Sequence, residues 1–273
     1  MIAAAAVLLA AQAAPVFAPP LNRTLTMTTE TVRSEGPTTR RFVARRTIRF
    51  SAAPDGYRVA ITLDAAASGE VESDPAGLMR AGFARLAGRT VVLQLDRTGA
   101  VTAVEDLATI WRAVIDGMGA MAPTGTDPAT QQRAARVRAI VAALAAQPEA
   151  AQRRMIASLV TPLIAPELVA QAATPAPPRA VRVPATSMYG QTELDGLRAI
   201  RVRPDGIEIS VSATGSVAVT TAEGKASATI TLETLRRIDP HTGLVVESRE
   251  QVETLAPDGS LQSERMTVTK LMR

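Results

Sequence analysis

The sequence has 273 residues and no cysteine among them. A chain without thiols forms no disulfide, and it offers neither a thiolate nucleophile nor a thiolate ligand for a metal. Histidine occurs once, as His241, so a Ser-His-Asp triad or a histidine-rich zinc site would rely on that single residue. We therefore predict a protein that is not an enzyme, with no catalytic residues, no metal site and no cofactor.

Aromatic residues are also scarce, since Phe, Tyr and Trp make up 3% of the chain against 47% hydrophobic residues in all. The core must be built from Val, Ile, Leu, Met and Ala. Lys and Arg number 30, Asp and Glu number 26, and the basic residues are scattered along the chain. Because nucleic-acid-binding proteins concentrate basic residues and add aromatic rings that stack on bases, we expect no nucleic-acid partner.

The apolar run over residues 2–10 is too short for a transmembrane span, which takes about 20 residues. Ala11, Gln12 and Ala13 follow the run and fit the small-x-small pattern of a secretory cleavage site. We predict a signal peptide over residues 1–13; the alternative is a frayed, Ala-rich N-terminal helix. An exported protein without disulfides is expected in the periplasm of a Gram-negative bacterium, or secreted from it.

Residues 21–104 show the period-two alternation of antiparallel strands that have one face in water. In residues 41–50 one face of the strand carries only apolar residues and Arg46, while arginines dominate the other face. Arg46 on an apolar face has two interpretations: an edge or end-of-sheet position that lets the guanidinium reach water, which we favour, or a charge at the mouth of a pocket. A short helix over residues 74–88 interrupts this β-rich region.

The period changes to 3.6 over residues 105–173, which predicts a helical insertion. Its first helix has a clear apolar stripe, formed by Leu107, Ile110, Trp111, Val114, Ile115 and Met118. Proline recurs over residues 174–185, which we interpret as a stiff connector. Residues 186–273 return to period-two alternation, interrupted by turns that contain glycine, and this pattern predicts a β-meander.

His241 lies in one of two similar turn sequences, DRTGAV at residues 96–101 and DPHTGLV at residues 239–245. In both, an aspartate is placed to accept local backbone hydrogen bonds, and Thr-Gly closes the turn. A histidine at a loop tip with no second histidine or cysteine is usually exposed and structural. We therefore predict a turn role for His241.

These segments predict an α+β fold, a large curved antiparallel sheet with a helical insertion packed on one face. We expect a single discontinuous domain over residues 14–273, because each β-rich half alone would leave a long open edge and the two together complete one sheet. The inward strand residues and the helical stripe would face each other. They are the candidate residues that line an apolar ligand pocket: Val59, Ile61, Leu63, Val91, Leu93, Leu107, Trp111 and Val114.

The order of leader, strands with one short helix, helical insertion and β-meander resembles the secreted half-barrel proteins of the lipoprotein-carrier type. It also resembles uncharacterised proteobacterial families of similar layout. The resemblance covers most of the chain after residue 13 and rests on element order and turn pattern. It implies a concave sheet covered by helices, with an acyl chain bound between them. The expected partners are a lipid or other apolar ligand, or an envelope protein; the alternative function is an envelope structural or assembly protein without a ligand pocket.

Overall fold

The computed structural model describes residues 17–64, 75–164, 177–187, 190–221 and 224–272. The predicted signal peptide over residues 1–13 lies outside these ranges. Strands β1 to β5 and helix α1 precede the other helices, and strands β6 to β11 follow them. This order agrees with the predicted succession of β-rich half, helical insertion and β-meander.

The strands of the first half are β1 (Thr24–Glu35), β2 (Thr38–Ala53), β3 (Gly56–Leu63), β4 (Thr90–Asp96) and β5 (Val101–Val104). Those of the second half are β6 (Arg179–Ser187), β7 (Gly190–Arg203), β8 (Gly206–Thr221), β9 (Gly224–Ile238), β10 (Val245–Leu255) and β11 (Leu261–Met272). The helices are α1 (Pro75–Ala84), α2 (Leu107–Gly119), α3 (Pro128–Ala145) and α4 (Glu149–Ala157), followed by a 3-10 turn at Thr161–Leu163.

All eleven described strands form one open antiparallel sheet in the order β5-β4-β3-β2-β1-β11-β10-β9-β8-β7-β6. The two halves meet where β1 pairs with β11, from Thr26 opposite Met272 to Glu35 opposite Ser263. The prediction that both β-rich regions complete one sheet is therefore confirmed. The α+β fold class is confirmed as well.

The helices pack on one face of the first half of the sheet, which we call the inner face. Successive residues of β3 alternate between the two faces of the sheet, as predicted. Val59 and Ile61 are fully buried on the inner face, whereas Arg58, directly before Val59, points to the opposite, outer face. The inward strand residues and the buried side of α2 belong to one hydrophobic cluster. This cluster is the main core of the molecule.

The second half of the sheet is strongly curved. Strands β6 and β10 come within 8 Å of each other between Cα atoms, although three strands lie between them. In a flat sheet the same strands would be about 19 Å apart, at roughly 4.8 Å per strand. Glycine permits this curvature, because a Cβ added at Gly196 would lie 2.5 Å from the Ala213 Cβ on the neighbouring strand. A second hydrophobic cluster, including Leu194 and Ile230, fills the inside of the curve.

The predicted connector over residues 174–185 differs from the structure. Residues 174–176 lie outside the described ranges, but β6 already begins at Arg179, so the interpretation of residues 179–185 as a linker was wrong. Proline in this segment counts against a strand, because it has no N–H to donate to a neighbour. Among the described strands, β6 pairs with β7 alone, and an edge strand of this kind tolerates Pro184.

Candidate functional site

A cavity of about 940 Å³ opens on the inner face near the centre of the sheet. Its floor is formed by β1, β2, β10 and β11, one wall by α1, and another by the end of β6 at Thr186 and Ser187. The curvature of the second half brings β6 to this position. The cavity therefore combines residues from both ends of the chain and from the edge of the sheet.

The sequence of β1 explains why the cavity lies beside the core. Along the inner face of this strand, buried Leu25 and Met27 are followed by Thr29 and Thr31 and then by charged residues. The threonines pair with threonines of β11, with hydroxyl oxygens 3.2 Å apart in Thr29–Thr269. The inner face thus changes from apolar to polar along β1, and the cavity lies where this change occurs.

The apolar lining of the cavity comes mainly from two phenylalanines and one leucine. Phe42 lies on the inner face of β2, Phe83 on α1, and Leu63 at the end of β3. The guanidinium of Arg80 on α1 lies over the Phe42 ring, 3.9 Å from its centroid. This cation–π contact joins the helix to the floor of the cavity.

Five arginines and four carboxylates line the same cavity. Two of the arginines are paired inside it. The Arg33 Nε donates to Glu35 at 2.9 Å, and the Arg265 guanidinium donates to Glu250 at 3.0 Å. These pairs neutralise charge on the floor of the cavity, where β1, β10 and β11 lie side by side.

Arg46 differs from the two paired arginines of the cavity. Its Nη1 donates to the Leu159 carbonyl at 3.2 Å, its Nε is fully covered without a hydrogen-bond partner, and it makes no ion pair with the described residues. Burial lowers the pKa of its guanidinium from the usual value, although arginine stays protonated at neutral pH. Strand β2 lies between β1 and β3, and Arg46 is in the middle of this strand, so the favoured edge or end-of-sheet interpretation of Arg46 was wrong. The pocket-mouth interpretation agrees with its place in the cavity lining.

The eight predicted pocket residues all lie in the main core cluster and are at most 9% exposed. Leu63 also lines the cavity, while the other seven pack between the sheet and the helices and are not part of the cavity lining. The structure therefore brings the eight residues together, and their role in binding a ligand stays a prediction. Sequence reasoning did not find Phe42, Phe83 or Arg80 as site residues; the only signal was Arg46 on an apolar face.

His241 lies in the turn between β9 and β10, as predicted. Asp239 accepts a hydrogen bond from the His241 backbone N–H at 2.9 Å, and Asp96 accepts one from the Thr98 N–H at 2.8 Å in the matching turn. The His241 side chain is exposed. In the part of the chain that the structure describes, no group of three or more His, Asp or Glu residues could hold a metal ion.

We expect His241→Asn to change the free energy of unfolding by less than about 0.5 kcal/mol, as for most exposed positions. The backbone N–H that bonds to Asp239 is retained in the variant, and asparagine is common in turns. Urea unfolding followed by circular dichroism measures the difference. A loss of more than about 1 kcal/mol, or loss of ligand binding in a folded variant, would contradict the turn role.

Within the described ranges no helix has the length and apolar character needed to span a membrane. Comparison with known proteins adds no relative: no protein-family model matches the sequence, and no curated protein is significantly similar to it. The functional argument therefore depends on the cavity and its residues.

Proposed function

We propose that the protein binds an apolar ligand, a lipid or acyl chain, in the cavity of the inner face and does not act on it chemically. The observation that carries the proposal is the cavity itself, about 940 Å³ in volume, beside a closed hydrophobic core. Its volume lies within the range of roughly 300–1,000 Å³ that is usual for small-molecule sites.

The lining supports an apolar ligand with one polar end. Phe42, Phe83 and Leu63 offer apolar surface, and threonines and arginines line the same cavity between and beside them. Ligand sites commonly combine an apolar lining with a few polar groups that fix orientation. The arrangement is also the one that the resemblance to lipoprotein-carrier half-barrels implies, with a curved sheet, helices on its concave face and space between them.

The cavity favours this function over the two alternatives from the sequence. An envelope structural or assembly protein without a ligand pocket needs no open space on its inner face, and an envelope protein partner bound without a lipid needs none either. The proposed location is the periplasm or the exterior of a Gram-negative bacterium. It rests on the predicted leader and on the absence of cysteine.

The test combines detection of a bound lipid with a variant that fills the cavity. Protein purified from its own host should carry a lipid that native mass spectrometry detects. Ala44 lies on the inner face of β2 within the cavity, so Ala44→Phe should weaken binding of 1-dodecanol by roughly 5- to 150-fold, since overpacking costs roughly 1–3 kcal/mol.

The matched control is Ala103→Phe, at an exposed alanine on the outer face of the edge strand β5. This variant should bind 1-dodecanol as the unchanged protein does, in isothermal titration calorimetry of both. Absence of a co-purified lipid together with no binding of 1-dodecanol would reject the proposed function. Equal weakening by both variants would place the binding outside the cavity.

A further inference from the structure

We propose that the ligand is an amphiphile with an anionic headgroup, a carboxylate or a phosphate, and that Arg46 binds this headgroup. The inference rests on the proposed function, because it assumes that the cavity holds an apolar chain. It adds the charge of the ligand and the residue that recognises it.

The first argument is the charge balance of the cavity. Arg33 and Arg265 already have carboxylate partners in Glu35 and Glu250. The Glu264 carboxylate accepts a hydrogen bond from the Gln251 amide at 2.9 Å. With five arginines against four carboxylates among the described lining residues, this part of the chain gives the cavity one positive charge in excess. Neither Arg45 nor Arg46 forms an ion pair with the described residues, but Arg45 is exposed to water whereas Arg46 is largely withdrawn from it.

The second argument is the environment of Arg46 itself. A charged group that is withdrawn from water is costly unless it is paired and hydrogen-bonded. The Leu159 carbonyl satisfies one N–H of Arg46 but supplies no counter-charge, and the covered Nε has no partner. The lowered pKa of Arg46 reflects the same burial. A carboxylate or phosphate oxygen at this point would supply the counter-charge that the described residues do not, and guanidinium binds both groups with paired hydrogen bonds.

The third argument is the direction in which the apolar surface runs from Arg46. Ala44 and Phe42 follow on the same face of β2, so Phe42 lies about 13 Å along the strand from Arg46, at roughly 3.3 Å per residue. Leu63 is directly opposite Arg46 on β3. A headgroup at Arg46 thus leaves the chain of an amphiphile to run along the cavity floor over Ala44 towards Phe42, with Thr29 and Thr31 of β1 beside it.

The test compares three ligands that share a twelve-carbon chain: laurate, dodecyl phosphate and 1-dodecanol. Calorimetric titration of the full chain should show at least one anionic ligand binding roughly 10- to 100-fold more tightly than the alcohol, as expected for a hydrogen bond to a charged group. The tighter of the two anions identifies carboxylate or phosphate as the preferred headgroup. Equal binding of all three would overturn this inference and leave the proposed function intact, and no binding of any would overturn both.

Variants at position 46 test whether the preference for anionic ligands over 1-dodecanol depends on Arg46. Arg46→Met should remove most of the preference for the anion, measured as the ratio of the Kd of 1-dodecanol to the Kd of the anion in the same variant. Arg49→Met is the matched control, at an exposed position on the outer face of the same strand, and it should keep the preference. Arg46→Lys retains the charge and should keep part of the preference, which provides a folded comparison if Arg46→Met does not fold. A folded Arg46→Met that still prefers the anion, or an Arg46→Lys that binds the anion no better than the alcohol, would overturn the inference.

Discussion

Trp111→Ala is expected to lower the free energy of unfolding by about 3–5 kcal/mol, the usual range for removal of a buried tryptophan. Trp111 is 5% exposed and lies on the buried side of α2, within the main core cluster. It is not among the residues that line the cavity, so its loss creates a new void inside packed surroundings. Urea unfolding monitored by circular dichroism gives the difference between the variant and the unchanged protein.

Trp111→Phe is the matched control for this experiment. The indole Nε1 is buried without a hydrogen-bond partner among the described residues, so phenylalanine removes an unsatisfied donor while it keeps most of the ring. We expect this variant to lose less than half of the stability that Trp111→Ala loses, because burial of a lone N–H is itself unfavourable. A loss below about 1.5 kcal/mol for Trp111→Ala would show that the helices pack loosely on the sheet.

Gly117→Ala is expected to destabilise the protein by about 1–3 kcal/mol, although alanine is the better helix former. Helices α1 and α2 approach closely at Gly82 and Gly117. A Cβ at position 117 would lie 2.7 Å from the Ala81 carbonyl oxygen and 3.0 Å from the Gly82 Cα. Because both atoms belong to the backbone of α1, the whole helix must shift to accept the methyl group.

Gly119→Ala makes the same chemical change two residues further along α2, and it should stabilise the protein rather than destabilise it. A Cβ at position 119 would meet nothing within 4 Å, so no clash offsets the benefit of alanine. Alanine makes the unfolded chain less flexible, which should raise the free energy of unfolding by about 0.4–1 kcal/mol. Thermal unfolding of both variants checks the pair. Equal effects at the two positions would refute the close packing of α1 on α2. Since α1 carries Arg80 and Phe83, a shift of this helix in Gly117→Ala would also change the wall of the cavity.

The local elements of the fold could be read from the sequence because each has its own period or turn chemistry. The alternation around Val59 and Ile61 identified the inner face, and the aspartates at 96 and 239 identified two turns. The prediction that the two β-rich halves complete one sheet used a general argument about open edges. The pairing of β1 with β11 is how the structure joins them. Each of these conclusions uses neighbours in sequence or a property that holds for any sheet.

The cavity could not be predicted in the same way. Its lining comes from β1, β2, β10 and β11 together with α1 and the end of β6, and the curvature that assembles them depends on close approach at Gly196. The most apolar residues were chosen as pocket candidates, but strongly apolar residues such as Val91 and Leu93 fill the core. Sequence periodicity shows which face a residue occupies; it does not show whether that face is covered by a helix or left open.

The pairing of β1 with β11 also determines when the protein can finish folding. Thr29 and Thr269, which meet across these strands, are separated by 240 positions in the chain. Sheets with such high contact order fold slowly, because the entropy of closing a long loop is lost before the contacts form. Until β11 docks, β1 and β10 each present an unpaired edge to other chains. We therefore expect docking of the last strand to limit the rate of folding and to end the period in which these edges can aggregate.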